Sequence, residues 1–217
     1  MCKDRNRNYR ISPDTHLIGE PFYYEHVTLV GYFAIQGYEC TAVTRSHLSL
    51  RRLSILQDPA DLLESRGWKI HISLADNLDN IRKAWNCLVS IFIEEEIGLV
   101  KLIRPEGNPL DREIHPNERG RQLTIYAQLN PFPIEKWWRI LQRINDTLIA
   151  NDIEPACHSA VCRRIHGSSY LSYRHDGTNE NYIAIRGADS YNPLNVADVY
   201  DRIRIIEPSC KCCCALM

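Results

Sequence analysis

Residues 68–74 read Trp-Lys-Ile-His-Ile-Ser-Leu, so apolar and polar side chains alternate through the whole stretch. In a β-strand, successive side chains point to opposite faces of the sheet. The stretch therefore predicts a strand with one apolar face, which packs into a core, and one polar face. The apolar face is made by Trp68, Ile70, Ile72 and Leu74, and the polar face by Lys69, His71 and Ser73.

The segments around this strand show both the helical and the extended pattern. Apolar residues recur at helical spacing over residues 77–96 and again after Pro133. Strands are predicted within 22–43 and at Leu99–Ile103, Arg121–Leu129, Tyr170–Arg174 and Tyr182–Arg186, and helical turns over 46–65. Because the connections are uneven, we predict an α+β fold: a single domain with a mainly antiparallel twisted sheet packed by helices.

Composition limits the class of protein. The 217 residues are 44% hydrophobic and 24% charged, which is typical of one globular domain. A net charge of −1 gives no basis for nonspecific nucleic-acid binding. No run approaches the roughly 18 apolar residues that span a bilayer, and no signal-peptide pattern opens the chain. We expect a domain over 21–205 that folds in water, a flexible arm over 1–20 and a cysteine-rich tail over 206–217.

The polar faces of the predicted strands carry cations. Lys69 and His71 share one face, which either forms an anion site or is an ordinary solvated face. Lys101 lies between Leu99 and Ile103, so its amine either extends to water or is partly desolvated. Desolvation lowers the pKa of an ammonium group and makes lysine a usable general base.

Two more predicted strands add to these polar faces. One aligns Gln122, Thr124 and Tyr126, and the other aligns Tyr170, Ser172 and Arg174. The faces carry Lys, His, Tyr and Arg but little acid, and arginine and lysine are the residues that bind phosphate oxygens. This composition favours a site for a phosphate dianion. It does not fit a hydrolase with paired carboxylates or a carboxylate metal site.

Four features of the sequence, in their order along the chain, resemble the phosphothreonine lyase family of injected bacterial effectors. They are the Lys69–Ser73 run with its following helix, Lys101, the Gln122–Tyr126 strand and the Tyr170–Arg174 strand. The resemblance covers roughly residues 20–185. It implies β-elimination of phosphate from phosphothreonine, without a metal or cofactor. It further implies that Lys101 is the base that takes the Cα proton and that His71 is the acid that protonates the departing oxygen. Lys69, Arg174 and Tyr126 would line the phosphate pocket.

The chain departs from the family pattern at two arginines. Pro116 has the spacing of a family arginine that precedes the strand ending at Tyr126. Arg119 or Arg121 would replace it, and we expect Arg119, because a strand that begins at Arg121 would point that side chain away. Arg186 is expected to replace the second arginine that the family carries after its Ser-Tyr-Arg motif.

The tail carries a separate signal. Cys214-Ala215-Leu216-Met217 fits the C-a-a-X prenylation pattern, and a final Met predicts a farnesyl group. Cys210, Cys212 and Cys213 offer sites for palmitoylation, and two lipids give stable membrane binding where one gives marginal binding. The alternative is a metal-binding cysteine cluster, which would require ligands at defined spacing.

The family resemblance and the tail together imply a lipidated effector, secreted from a bacterium without a classical signal peptide. A host prenyltransferase would modify it, and it would act at the cytoplasmic face of a host membrane. Its partner would be a phosphorylated host signalling protein, such as a kinase, and not a nucleic acid. Two alternatives are the same fold acting on another phosphoprotein or a lipid headgroup, and an inactive module that binds phosphorylated partners.

Overall fold

The computed structural model describes residues 22–30, 32–35, 37–44, 47–54, 67–104, 120–159, 161–175 and 197–206. This part of the chain contains the helices α1 (Tyr24–Val30), α2 (Leu78–Glu94) and α3 (Ile134–Ala150). Its strands are β1 (Tyr32–Ile35), β2 (Tyr38–Thr44), β3 (His47–Arg52), β4 (Trp68–Ile72), β5 (Leu99–Ile103), β6 (Leu123–Tyr126), β7 (Arg163–Arg164) and β8 (Leu171–His175). Short 3₁₀ turns occupy Ala127–Leu129 and Tyr200–Arg202.

The eight strands form one sheet in the order β1-β2-β3-β5-β6-β4-β8-β7, and every pairing is antiparallel. β4, which was predicted from the alternation in residues 68–74, lies inside the sheet between β6 and β8. The predicted α+β fold with an antiparallel sheet packed by helices is thus confirmed.

The helices α2 and α3 cover the apolar face of this sheet. Ile70 and Ile72 of β4 are fully buried in one hydrophobic cluster with Trp85 of α2 and Trp137 of α3. Each such buried side chain contributes about 1.5–3 kcal/mol through the hydrophobic effect. The opposite face of β4, with Lys69 and His71, therefore lies away from the helices. Within the described residues, no helix is long and apolar enough to cross a bilayer.

Both long helices end in the same way. Glu96 after α2 and Asp152 after α3 take the left-handed conformation, with φ of 59° and 50°. The next residue, Ile97 or Ile153, donates its backbone N–H back to the helix, to Phe92 O at 2.8 Å and Leu148 O at 3.0 Å. These bonds satisfy carbonyl groups that the helix end leaves open.

Three predictions about local structure were wrong. α1 lies within 22–43, where only strands were expected, because packing of Tyr24 and Val27 into the core outweighs their strand propensity. Residues 47–52 form β3 rather than helical turns, since Leu48 and Leu50 alternate with more exposed neighbours. β6 spans only Leu123–Tyr126, so the predicted strand over 121–129 is too long at both ends.

The last described segment, 203–206, is held against α3 by side-chain-to-backbone hydrogen bonds. Trp138 Nε1 donates to Arg204 O at 2.9 Å. The Gln142 side chain donates to Ile206 O at 2.8 Å and accepts from Ile206 N at 2.9 Å. The described part of the chain therefore ends beside α3. The predicted arm over 1–20, the predicted strand Tyr182–Arg186 and residues 207–217 lie outside the described residues.

Candidate active site

A row of polar residues crosses the face of the sheet that is opposite the helices. Lys101 of β5 pairs with Thr124 of β6, Thr124 with His71 of β4, and His71 with Ser172 of β8. Residues directly opposite one another on antiparallel strands share a face, and neighbouring strands are about 4.8 Å apart. The backbones of Lys101 and His71 are therefore about 10 Å apart, with Thr124 between them.

His71 is almost fully buried, with 2% of its surface exposed. Its Nδ1 lies 3.0 Å from Thr124 Oγ1. Burial lowers the pKa of His71 well below its usual value, and the charges of Arg121, Arg174 and Lys69 lower it further. Both effects favour the neutral imidazole over the charged one.

Tyr126 brings two lysines to the same place. Lys69 pairs with Tyr126 across β4 and β6, and its Nζ lies 4.6 Å from the centre of the Tyr126 ring. Lys101 Nζ lies 5.1 Å from the same ring centre. Cation–π attraction to the buried ring thus holds both amines over the polar face. Lys101 itself is only partly exposed.

Two arginines complete the cationic side of the site. Arg174 pairs with Lys69 from β8 and is 8% exposed. Arg121 lies close enough to His71 for its charge to lower the pKa of the imidazole. The expectation that Arg121 points away was wrong, because β6 begins at Leu123 and leaves Arg121 free of the strand alternation.

The segment that carries Arg121 is fixed by the loop over 154–159. Gly120 has φ of +76°, and a Cβ at this position would overlap the Cys157 carbonyl oxygen. Ser73 Oγ donates to Gly120 O and lies 3.0 Å from His158 Nδ1. A residue with a side chain at position 120 would displace this contact, so glycine is required to bring Arg121 to the site.

Cys162 lies beside the two arginines. Burial raises the pKa of its thiol, whereas the charges of Arg121 and Arg174 and hydrogen bonds with Ser159 and Ser172 oppose that effect. The neighbourhood of His71 therefore contains cations, hydroxyl groups and a thiol. Among the described residues, the charges that act on His71 are all positive, which makes this site suitable for an anion and unsuitable for a cationic ligand. Among the described residues, no group of three His, Cys, Asp or Glu side chains could hold a metal ion.

The structure brings together five of the residues that the sequence singled out: Lys69, His71, Lys101, Tyr126 and Arg174. Arg119, Arg186 and the tail cysteines Cys210, Cys212, Cys213 and Cys214 lie outside the described residues. Sequence reasoning placed Thr124 on the right face but gave it no role, and it gave Cys162 no role beside the arginines. Only the alternation with Tyr126 indicated Thr124, while no local pattern indicates Cys162.

Comparison with known proteins gives a structural match. The type III effector and phosphothreonine lyase OspF from Shigella flexneri superimposes with a TM-score of 0.53 at 18% identity, covering 76% of this chain and 85% of that one. The fold is that of the phosphothreonine lyases.

Two further structures have the same phosphothreonine lyase fold. A mutant of the Salmonella plasmid virulence C protein gives a TM-score of 0.53 at 18% identity, with 76% of this chain and 81% of that one covered. The VirA phosphothreonine lyase effector of Chromobacterium violaceum gives 0.51 at 16% identity, with 81% of each chain covered. No family model and no curated protein matches by sequence. At these identities the similarity is one of fold.

Proposed function

We propose that this protein is a phosphothreonine lyase, which removes phosphate from a phosphorylated protein by β-elimination. The observation that carries the proposal is the row Lys101–Thr124–His71 beside Lys69, Arg121 and Arg174. This arrangement supplies a base, an acid and an anion site on one face of a sheet. The phosphothreonine lyase fold supports the same assignment.

In the proposed reaction, the Lys101 amine takes the proton from Cα of the phosphothreonine. The electrons of that C–H bond form the Cα=Cβ double bond, and the bond between Cβ and the phosphate oxygen breaks. His71, protonated once the phosphate dianion lies among the cations, gives its proton to the departing oxygen. The products are inorganic phosphate and a dehydrated residue. The step needs acid–base groups and charge stabilisation but no nucleophile.

The phosphate would be held by Lys69, Arg121 and Arg174. Guanidinium groups bind phosphate oxygens in pairs, whereas the Lys69 amine contributes a point charge. Arg119 and Arg186 remain predictions for further phosphate contacts. Tyr126 would line the pocket and position the two amines against the substrate.

We further propose that the tail anchors this lyase to the cytoplasmic face of a host membrane after secretion. A host prenyltransferase would modify Cys214, and Cys210, Cys212 and Cys213 would accept fatty acids. The proposed substrate is a phosphorylated host signalling protein at that membrane.

Mass spectrometry of a phosphothreonine peptide after incubation with the protein tests the reaction. Elimination removes the elements of phosphoric acid and leaves a dehydrated residue, whereas hydrolysis restores threonine. A phosphotyrosine peptide of the same sequence is the matched control, because its phosphate is attached to an aromatic ring and cannot be eliminated in this way. Restored threonine, or loss of phosphate from the control, contradicts the proposal. An unchanged phosphothreonine peptide that binds the protein indicates the inactive binding module.

A further inference from the structure

The imidazole of His71 has a single described hydrogen-bond partner, the hydroxyl group of Thr124. Nδ1 lies 3.0 Å from Thr124 Oγ1. Nε2 is buried and has no hydrogen-bond partner among the residues that the structure describes. A buried polar nitrogen in this state is costly unless a ligand satisfies it. Among the described residues, the imidazole is thus hydrogen-bonded at Nδ1, while its Nε2 has no partner.

Thr124 is well placed to hold the ring. It lies in the middle strand of three, opposite Lys101 on one side and His71 on the other. Threonine is β-branched, so its χ1 angle is restricted and the position of its hydroxyl group is well defined. The hydroxyl group therefore sets the distance and angle of the imidazole relative to the lysine of the neighbouring strand.

The charges that face His71 come from three elements. Lys69 is on β4 itself, Arg174 is on β8 and Arg121 precedes β6. Two further groups lie nearby. The amine of Lys101, on β5, lies against Tyr126. The thiol of Cys162 lies beside both arginines. In the part of the chain that the structure describes, no carboxylate is among the groups that act on the ring. A hydroxyl group can donate to a neutral Nδ1 or accept from a protonated one, whereas a carboxylate can only accept, and its charge would favour the protonated ring.

We propose that Thr124 is a positioning residue for the lyase reaction: its hydroxyl group holds Nδ1 of His71 in both protonation states and presents Nε2 to the departing phosphate oxygen. The inference rests on the proposed function. Binding of a phosphate dianion offsets the three cations, and His71 then takes up a proton from solvent. That proton leaves on the phosphate oxygen during elimination, and Lys101 returns the Cα proton to solvent afterwards.

The test compares Thr124→Val, which removes the hydroxyl group at constant shape, with Thr124→Ser, which keeps it. Calorimetric titration with inorganic phosphate in two buffers of different ionisation enthalpy counts the protons taken up on binding. Imidazole nitrogen NMR reports the tautomer of His71 directly. We expect wild type and Thr124→Ser to take up the proton and Thr124→Val to take up much less. With a phosphothreonine peptide, kcat of Thr124→Val should fall about tenfold, because one hydrogen bond to the imidazole is lost. KM should stay within about threefold of the wild-type value.

The pH profile separates positioning from general damage. Thr124→Val should shift the pH dependence of kcat, and Thr124→Ser should restore the wild-type profile. If Thr124→Val keeps the wild-type tautomer, proton uptake and pH profile, the positioning role is refuted even if the protein is an active lyase. A third outcome separates the two proposals: the wild type takes up the proton with phosphate, Thr124→Val does not, and the wild type leaves the peptide intact. The lyase proposal then fails, while the role of Thr124 in holding the imidazole is supported.

Discussion

The Lys101 amine lies over the ring of Tyr126, on a strand whose neighbour carries Thr124 and whose next neighbour carries His71. An amine can take a proton from carbon only while it is neutral, so the proposed role requires the Lys101 amine to lose its own proton before the elimination step. Lys69 contacts the same ring, so the two lysines have the same functional group and differ in the strand that carries them. Substituting each lysine in turn therefore separates the proposed base, Lys101, from the proposed phosphate ligand, Lys69.

We predict that Lys101→Ala abolishes turnover of a phosphothreonine peptide, by about 10²-fold or more, because the general base is removed. Binding of inorganic phosphate should change little, since Lys69, Arg121 and Arg174 remain. Lys69→Ala is the matched control and should mainly weaken phosphate binding. Peptide turnover and calorimetric phosphate binding are the two measurements. If Lys101→Ala turned over the peptide at the wild-type rate, Lys101 would not be the general base.

The burial of His71 predicts a dependence of stability on pH. Burial and the three cations keep the pKa of His71 well below the value of about 6.5 that it has in the unfolded chain. As the pH falls through about 6.5, the unfolded chain binds a proton that the folded protein does not, so the free energy of unfolding decreases. The contribution of this histidine is thus complete above about pH 6.5 and is lost towards lower pH.

We therefore predict that His71→Asn reduces the loss of unfolding free energy between pH 7.5 and pH 5, by up to about 1.4 kcal/mol for each pH unit below 6.5. Denaturant unfolding at several pH values measures this. His166→Asn is the control, because the His166 side chain is exposed. An unchanged pH slope in His71→Asn would mean that the imidazole is not held neutral in the fold.

At the scale of elements, the sequence predicted the parts whose pattern is both regular and used by the core. The alternation in 68–74 placed β4 and both of its faces, and helical spacing placed α2 to within two residues at each end. It failed for α1, a seven-residue helix whose conformation depends on packing with distant residues. It also misplaced Arg121, because the close approach of the neighbouring Gly120 to Cys157 joins segments far apart in the chain.

The ends of α2 and α3 give a prediction about stability. Asp152 is exposed and has φ of 50°, a conformation that costs about 1 kcal/mol or more for residues other than glycine. We predict that Asp152→Gly raises the free energy of unfolding by about 0.5–1 kcal/mol, and Tm by roughly 2–4 °C at most.

Glu96→Gly is the comparison, because Glu96 has the same backbone conformation but also pairs with Arg52 at 3.0 Å. Loss of this surface ion pair should offset part of the gain. Thermal unfolding of the three proteins measures both effects. A lower Tm for Asp152→Gly than for the wild type would show that the carboxylate, rather than the backbone, determines the stability of this helix end.

At the scale of the whole molecule, the sheet divides the protein into a helical side and a side that carries the proposed active site. The proposed lipid anchor gives a test that is independent of catalysis. We predict that Cys214→Ser moves the protein from the membrane fraction to the cytosol of a eukaryotic cell, because prenylation precedes the addition of further lipids. Cell fractionation measures the distribution, with Cys162→Ser as the control within the folded domain. Unchanged fractionation of Cys214→Ser would refute the anchor.

The hydrogen bonds between Gln142 and Ile206 set the point from which the proposed anchor would extend. They fix the last described residue beside α3. The eight residues from 207 to 214 can span at most about 28 Å when fully extended, so a lipid on Cys214 would keep Ile206 within about that distance of the bilayer. The proposed lyase would then meet only those substrates that come close to the same membrane surface.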